Sequence, residues 1–158
     1  MPDEERRIGL ISDTHGLFRP GVHDALAGVE LILHAGDVVG AAILDELELI
    51  APVRAVAGNC DAPGTPGLTH AIELEVDGVR IHVSHGHELG VPTPELLLAR
   101  YDADVLVYGH THTPLVANAE GRLVVNPGAA GPRRFNLQPS VGVLTIRAGG
   151  AEAEIISL

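Results

Sequence analysis

The sequence predicts an α/β domain. Three observations carry that reading: short apolar runs that each stop at a loop bearing Asp, Asn or His, segments of helical spacing between the first of those runs, and a second half dominated by strand-like stretches. At 158 residues the chain suits one domain over 1–158, long enough to bury a core. Its composition, 46% hydrophobic and 20% charged, is that of a folded protein.

The first strand covers Ile8 to Ser12 and stops at Asp13-Thr14-His15-Gly16. Pro20 to Gly28 suits a short helix, and the apolar run Glu30 to Leu33 then leads into His34-Ala35-Gly36-Asp37. Ile43, Leu44, Leu47 and Ile50 share one face of a second helix, which Pro52 ends because its ring and missing N–H do not fit a helix interior. Val53 to Ala57 reads as a third buried strand running into Gly58-Asn59-Cys60-Asp61, and Pro63, Gly64, Pro66 and Gly67 mark an irregular turn. Asp77-Gly78 joins Ala71–Val76 to Val79–Val83 as a hairpin, and the second arm runs into Ser84-His85-Gly86-His87. Thr93 as N-cap and Pro94 at the first helical position open a third helix through Leu96, Leu97 and Leu98. Val105 to Tyr108 is a buried strand ending in Gly109-His110-Thr111-His112. Leu123–Val125, Val141–Arg147 and Ala153–Ile156 complete the strands, the last two as a hairpin around Gly149-Gly150.

Charge narrows the partners. Acidic residues number 21 against 10 basic ones, every basic residue is an arginine, and the formal net charge is -11. No broad basic field exists to neutralise phosphates, which argues against extended nucleic-acid binding and against anionic lipid surfaces. The N-terminal residues lack the apolar core of a signal peptide and no apolar run reaches the ~18 residues of a membrane helix, so the expected protein is soluble, cytoplasmic and without a membrane partner. Cys60 is the single cysteine, which rules out an intrachain disulfide and a Cys-rich zinc site. Against this stand nine histidines, the residue type most used for metal ligation and acid-base work near neutral pH. Signatures of serine hydrolases, P-loop NTPases, dinucleotide enzymes and zincins are all missing.

Asp13, His15, Asp37, Asn59, His85, His110 and His112 all follow apolar runs. In open α/β sheets, loops beyond the carboxyl ends of strands converge on one crevice. Seven N/O ligands are too many for one tetrahedral zinc but suit two divalent ions about 3.5–4 Å apart that share a carboxylate. Two such ions would lower the pKa of a water between them and make hydroxide available near neutral pH.

Together the blocks Asp13-Thr14-His15, Gly36-Asp37, Gly58-Asn59, His85 and Gly109-His110-Thr111-His112 resemble the D-x-H, G-D, G-N, H, G-H-x-H pattern of the calcineurin-like metallophosphoesterase superfamily. The resemblance spans about residues 8–134. Gly-Asn-Cys-Asp at 58–61, His-Gly-His at 85–87 and Asn126-Pro127-Gly128 resemble its small bacterial and archaeal phosphodiesterase branch, to which a eukaryotic retromer scaffold is related. The resemblance implies a four-layer α-β-β-α sandwich of two mixed sheets flanked by helices. It implies a first metal on Asp13, His15, Asp37 and His112, and a second on Asp37, Asn59, His85 and His110, with Asp37 bridging. It also tilts the metal to Mn among Mn, Fe, Ni and Zn, and the substrate to a small phosphoester, most of all a diester.

Asp37, Asn59 and His87 are the expected catalytic groups. Phosphoprotein phosphatases of the superfamily carry a His directly after the Asn of the third block, where it assists the leaving group; Cys60 stands there in this chain. His87, the Cys60 thiol (ordinary pKa about 8.5) or a metal-bound water are the alternatives for that proton. Cys60 is otherwise expected to pack, since a hydroxide mechanism needs no covalent nucleophile. His23, His70 and His82 are expected in surface or packing roles, with His34 orienting a loop. Asp61 is placed between anchoring the Asn59 loop and supporting a ligand His. Arg133 and Arg134 are read mainly as surface charge, with phosphate binding the sharper alternative. The competing readings of the whole chain are a metal-binding interaction scaffold without strong catalysis, and a monoesterase or nuclease.

Overall fold

Strands and helices alternate from the start of the computed structural model, which describes residues 5–134, 136–148 and 150–158. In chain order come β1 (Arg6–Ile11), α1 (Gly21–Ala25), β2 (Leu31–His34), α2 (Ala41–Glu48), β3 (Val53–Val56), β4 (Leu68–Thr69), β5 (Ile72–Val76) and β6 (Val79–Val83). A single 3-10 turn at His87–Leu89 precedes α3 (Pro94–Arg100), β7 (Val105–Val107), β8 (Leu115–Ala119), β9 (Arg122–Asn126), β10 (Ser140–Arg147) and β11 (Gly150–Ser157). One sheet has the order β11-β10-β1-β2-β3-β4 and the other β5-β6-β7-β9-β8. Both are mixed: β1, β2, β3 and β4 run parallel, as do β6, β7 and β9, while β10, β11, β5 and β8 join antiparallel.

Alternation along the strands sorts the apolar residues into layers. Ile8 and Leu10 face inward with Leu33 and Val56, meeting Val83, Val107 and Val125 of the other sheet to form the central core. Ile11, Ile32 and Ala55 point the other way and are covered by Val22 and Leu26 from the α1 region and Ile43 and Leu47 of α2. On the far side, Leu97 of α3 covers Leu106, Tyr108 and Val124. The result is the four-layer α-β-β-α sandwich.

The elements differ from expectation in a few places. The first helix keeps only Gly21–Ala25 of the segment from Pro20 to Gly28. The second strand continues through His34, so that residue ends a strand rather than opening a loop. Two strands come without warning: β4 is two residues long, and β8, Leu-Val-Ala-Asn-Ala, is an edge strand without a fully buried residue and so lacks an apolar run. Thr93 caps α3 as expected, its hydroxyl accepting from the Leu96 N–H at 3.2 Å. Of the Gly149-Gly150 turn, Gly149 lies outside the described residues and Gly150 opens β11. Among the described residues no helix is long and apolar enough to cross a membrane.

Candidate metal centre

The carboxyl ends of β1, β2, β3, β6 and β7 deliver their loops to one place. Backbone pairing continues past the strand ends: Asp13 N–H donates to Gly36 O at 2.9 Å, His15 N–H to Asp37 O at 3.0 Å, and Gly109 N–H to His85 O at 3.0 Å. The two sheets are then tied through Asp13, whose Oδ2 accepts from the Ser12 hydroxyl at 2.6 Å and from the His110 N–H at 3.1 Å. Gly109 makes that approach possible, because a Cβ there would lie 2.7 Å from Asp13 Oδ2.

With Oδ2 occupied, Asp13 Oδ1 turns into the crevice. It lies 3.4 Å from His112 Nε2 and 3.7 Å from both His15 Nε2 and His85 Nε2. Asp37 is arranged the same way: Oδ1 accepts the Cys60 N–H at 2.8 Å, leaving Oδ2 at 3.3 Å from His15 Nε2 and 3.3 Å from His85 Nε2. One oxygen thus sits between two imidazoles from different sheets. Asp13 Oδ1, His15 Nε2 and His85 Nε2 are buried and have no hydrogen-bond partner.

The tautomer of His85 sharpens the point. Its Nδ1 lies 2.8 Å from the Ala35 carbonyl, which can only accept, so Nδ1 carries the hydrogen and the neutral ring aims its Nε2 lone pair at two carboxylates. A lone pair facing carboxylate oxygens needs a cation or a proton between them. Burial lowers the pKa of His85, but Asp37 and Asp13 outweigh it and the net direction is upward. Burial likewise opposes ionisation of both carboxylates. The imidazoles of His112 and His15 facing it nevertheless hold Asp13 far below the ordinary carboxylate range, and His85 together with the Cys60 N–H lowers Asp37. The cluster is built to hold positive charge. Among the described residues, three sets fit a metal ion by ligand-atom spacing: Asp13, His15 and His112; Asp13, Asp37 and His85; and His15, Asp37 and Cys60.

The other expected residues stand around this centre. His110 packs its ring 5.1 Å from that of His85 and 6.2 Å from that of His87. Burial and the nearby His85 lower its pKa. His87 lies 5.3 Å from His85, ring to ring, with Nδ1 buried and unpartnered. Asn59 is exposed and turns its amide toward Cys60 Sγ at 3.7 Å. Cys60 is not packed, as the sequence suggests, but exposed at the rim. Burial and then Asp37 push its thiol up, which keeps it protonated and weakens it as a nucleophile. Arg133 and Arg134 are exposed. His23 pairs with Glu46 at 2.9 Å on the surface, His70 is exposed, and His82 is buried against Glu73 with its ring stacked 3.8 Å from Tyr101.

Backbone conformation adds a feature that residue spacing did not reveal. Asp13, His15, Asp37, His110 and His112 all adopt positive φ, between 44° and 72°, a region that costs L-residues energy. Strained backbone therefore concentrates on the candidate ligands.

Three polar groups hold the loops, His34 and Asn126 buried and Asp61 half-buried. The Asp61 carboxylate accepts from Gly58 N–H (2.8 Å), Val39 N–H (2.8 Å) and Val38 N–H (3.2 Å), clasping the Asp37 loop to the Asn59 loop. His34 accepts the Gly36 N–H on Nδ1 at 3.1 Å, so Nε2 carries its hydrogen and donates to Thr14 Oγ1, which donates on to Val38 O at 2.9 Å. Asn126, fully buried, donates to Gly109 O (3.3 Å) and Thr111 Oγ1 (3.0 Å) and accepts from Gly128 N–H (2.9 Å). In the sequence Asn126-Pro127-Gly128 carries only a family resemblance; the positioning role of Asn126 is seen in the structure.

Burial lowers the pKa of His34 to about 4. Below pH about 6.5 the unfolded chain binds a proton at this position that the folded chain refuses, so stability falls with pH until about 4, by up to about 3 kcal/mol. His85 acts with the opposite sign, so the comparison is between proteins rather than between pH values alone. Urea unfolding of metal-free His34→Gln should show a shallower loss between pH 6.5 and 4 than the parent. Equal slopes would show that His34 does not titrate as its burial requires.

A family model for the calcineurin-like phosphoesterase superfamily domain matches residues 7–149. A probable metallophosphoesterase of Methanothermobacter thermautotrophicus is 40% identical over 159 residues, covering 94% of this chain and 91% of its own. The phosphodiesterase YfcE of Escherichia coli is 31% identical over 164 residues, covering 87% of this chain and 86% of its own. Among solved structures, wild-type Vps29 of Entamoeba histolytica complexed with zinc is similar with a TM-score of 0.75 and 26% identity, covering 96% of this chain and 98% of that one.

Proposed function

The chain belongs to the calcineurin-like phosphoesterase superfamily, and from that membership we propose that it is a metal-dependent phosphodiesterase acting on a small phosphoester, carried by one cytoplasmic domain. The observation that carries the metal is the set of buried, unpartnered atoms Asp13 Oδ1, His15 Nε2 and His85 Nε2 facing one another around Asp37 Oδ2. Asp13, His15, Asp37 and His112 would hold one ion; Asp37, Asn59, His85 and His110 a second. Asp37 Oδ2, equally distant from His15 and His85, suits the bridging role. The mixed imidazole, carboxylate and amide donors suit Mn, with Fe, Ni or Zn as alternatives.

Bound divalent ions would supply Lewis acidity toward phosphate oxygens and a water acidic enough to attack phosphorus near neutral pH. The chain's own residues do the rest. Asp37 and Asp13, held ionised, fix positive charge at the crevice. The Ala35 carbonyl keeps the His85 proton on Nδ1, so that Nε2 faces inward. His87, beside His85 and His110, is the group placed to hand a proton to the departing alkoxide, the role left open by Cys60. A diester with a good leaving group is the expected substrate, because it asks least of that proton.

Manganese-dependent turnover of bis(p-nitrophenyl) phosphate, exceeding that of an alkyl phosphomonoester, is the expected result. Stoichiometric metal uptake without turnover of either would instead favour the metal-holding scaffold that the Vps29 likeness suggests.

A further inference from the structure

Beside the metal centre lies a second feature, a cavity of about 260 Å³ walled by Val39, Ala41, Leu44, Pro66 and Leu68. Cys60 and Asp61 form its inner side. Cys60 belongs to both spaces, since its Sγ also lies within 4.8 Å of ligand atoms of His15 and Asp37. The cavity therefore adjoins the crevice at Cys60.

Its chemistry is one-sided. The residues lining it include no arginine or histidine, and the chain has no lysine. The one charged wall group, Asp61, has its carboxylate committed to the N–H groups of Gly58, Val38 and Val39. No cation is offered there to a second phosphate or an anionic substituent, the Thr65 hydroxyl donates to Ala62 O, the Cys60 thiol is a weak donor, and the carboxylate repels an anion. Val39 is 41% exposed, and Asp61 accepts from its N–H while the residue holds φ at 55°, a conformation unfavourable to a β-branched side chain. An apolar side chain is thus kept at the rim, two residues after Asp37, where solvation and backbone strain both disfavour it.

We propose that this cavity receives the apolar ester group, aryl or branched alkyl, of the substrate whose phosphate the metal centre holds. The inference rests on the phosphodiesterase reading and adds substrate class to it. A ring of phenyl size fits the volume, and burying one face of it against Val39, Leu44 and Leu68 gives about a tenfold preference over methyl.

The test uses manganese-loaded protein and two inhibitors with unbreakable C–P bonds, phenylphosphonate and methylphosphonate, competing against bis(p-nitrophenyl) phosphate. Metal uptake is followed in parallel by calorimetry. Phenylphosphonate should bind about tenfold tighter, and Leu44→Gln should cut that ratio to about threefold or less while methylphosphonate inhibition and metal uptake stay unchanged. Val39→Asn is the second variant; it is exposed and Asn tolerates positive φ, so its fold is not at risk, and it should lower the ratio in the same direction. A ratio near one in the parent, or one unaltered in both variants, overturns the cavity assignment and leaves the phosphodiesterase reading standing. Metal uptake with no turnover overturns that reading and the cavity's substrate with it.

Discussion

Asp37→Asn should abolish metal-dependent diester hydrolysis, lowering kcat/KM on bis(p-nitrophenyl) phosphate by about 1,000-fold or more, while the fold persists. The size follows from position. Asp37 Oδ2 lies 3.3 Å from both His15 and His85, closer to the pair than Asp13 Oδ1 at 3.7 Å, and Oδ1 is already engaged by the Cys60 N–H. The amide is nearly isosteric, but it removes a negative charge from the middle of the cluster and places either a neutral oxygen or an N–H donor where a cation should sit. Metal content by atomic emission should fall alongside activity. Persistence of the fold is expected because the side chain serves the crevice and not the core: the central apolar layer is formed by Ile8, Leu33, Val83, Val107 and their neighbours. Undiminished turnover in Asp37→Asn would sink the bridging assignment.

The second large effect is expected at a residue that touches no ion. Asn126→Asp keeps shape and the Oδ1 acceptor for Gly128 N–H but replaces the donor to Gly109 O by an oxygen. An acceptor facing an acceptor, fully buried, costs about 2–4 kcal/mol in stability. The Gly109–His112 loop is what Nδ2 holds, and both its histidines have positive φ. Loosening it should weaken metal affinity by about 10–100-fold, the usual cost of losing a group that orients a ligand. One readout separates this from general destabilisation: metal affinity measured well below the unfolding transition. Unaltered affinity in a destabilised protein would reduce Asn126 to a structural role.

The division between what was legible in the sequence and what was not follows the range of the interactions. The strands that end at Asp13, Gly36, Gly58, Ser84 and Gly109 were readable because an apolar run broken by polar residues is a local pattern, and the Asp77-Gly78 hairpin and Thr93 cap are local chemistry. The edge strand β8 was missed for the same reason inverted: it buries no residue fully, so its identity comes from pairing with β9. The candidate ligands stood out as a spaced set of loop residues. Of their supports, His34 is expected to orient a loop and Asp61 to anchor the Asn59 loop, and both do so; Asn126 is not legible, because it acts on groups of another loop and such partners leave no mark on residue type. Cys60 is expected to pack because a hydroxide mechanism gives its thiol no covalent role; its N–H, bound to Asp37, instead fixes the local backbone with the thiol at the rim.

The bond between Asp13 and the His110 N–H joins residues 97 apart in the chain and belonging to different sheets. During synthesis, Asp13, His15 and Asp37 emerge long before His110 and His112; pairing of β1 with β2 already brings the first three together, but the set is complete only once the second sheet has closed over the first. An ion that needs the whole set would therefore meet oxygen and nitrogen positions set by the finished fold. It follows that the order of metal preference should be the same whether the protein folds in the presence of the ion or receives it afterwards.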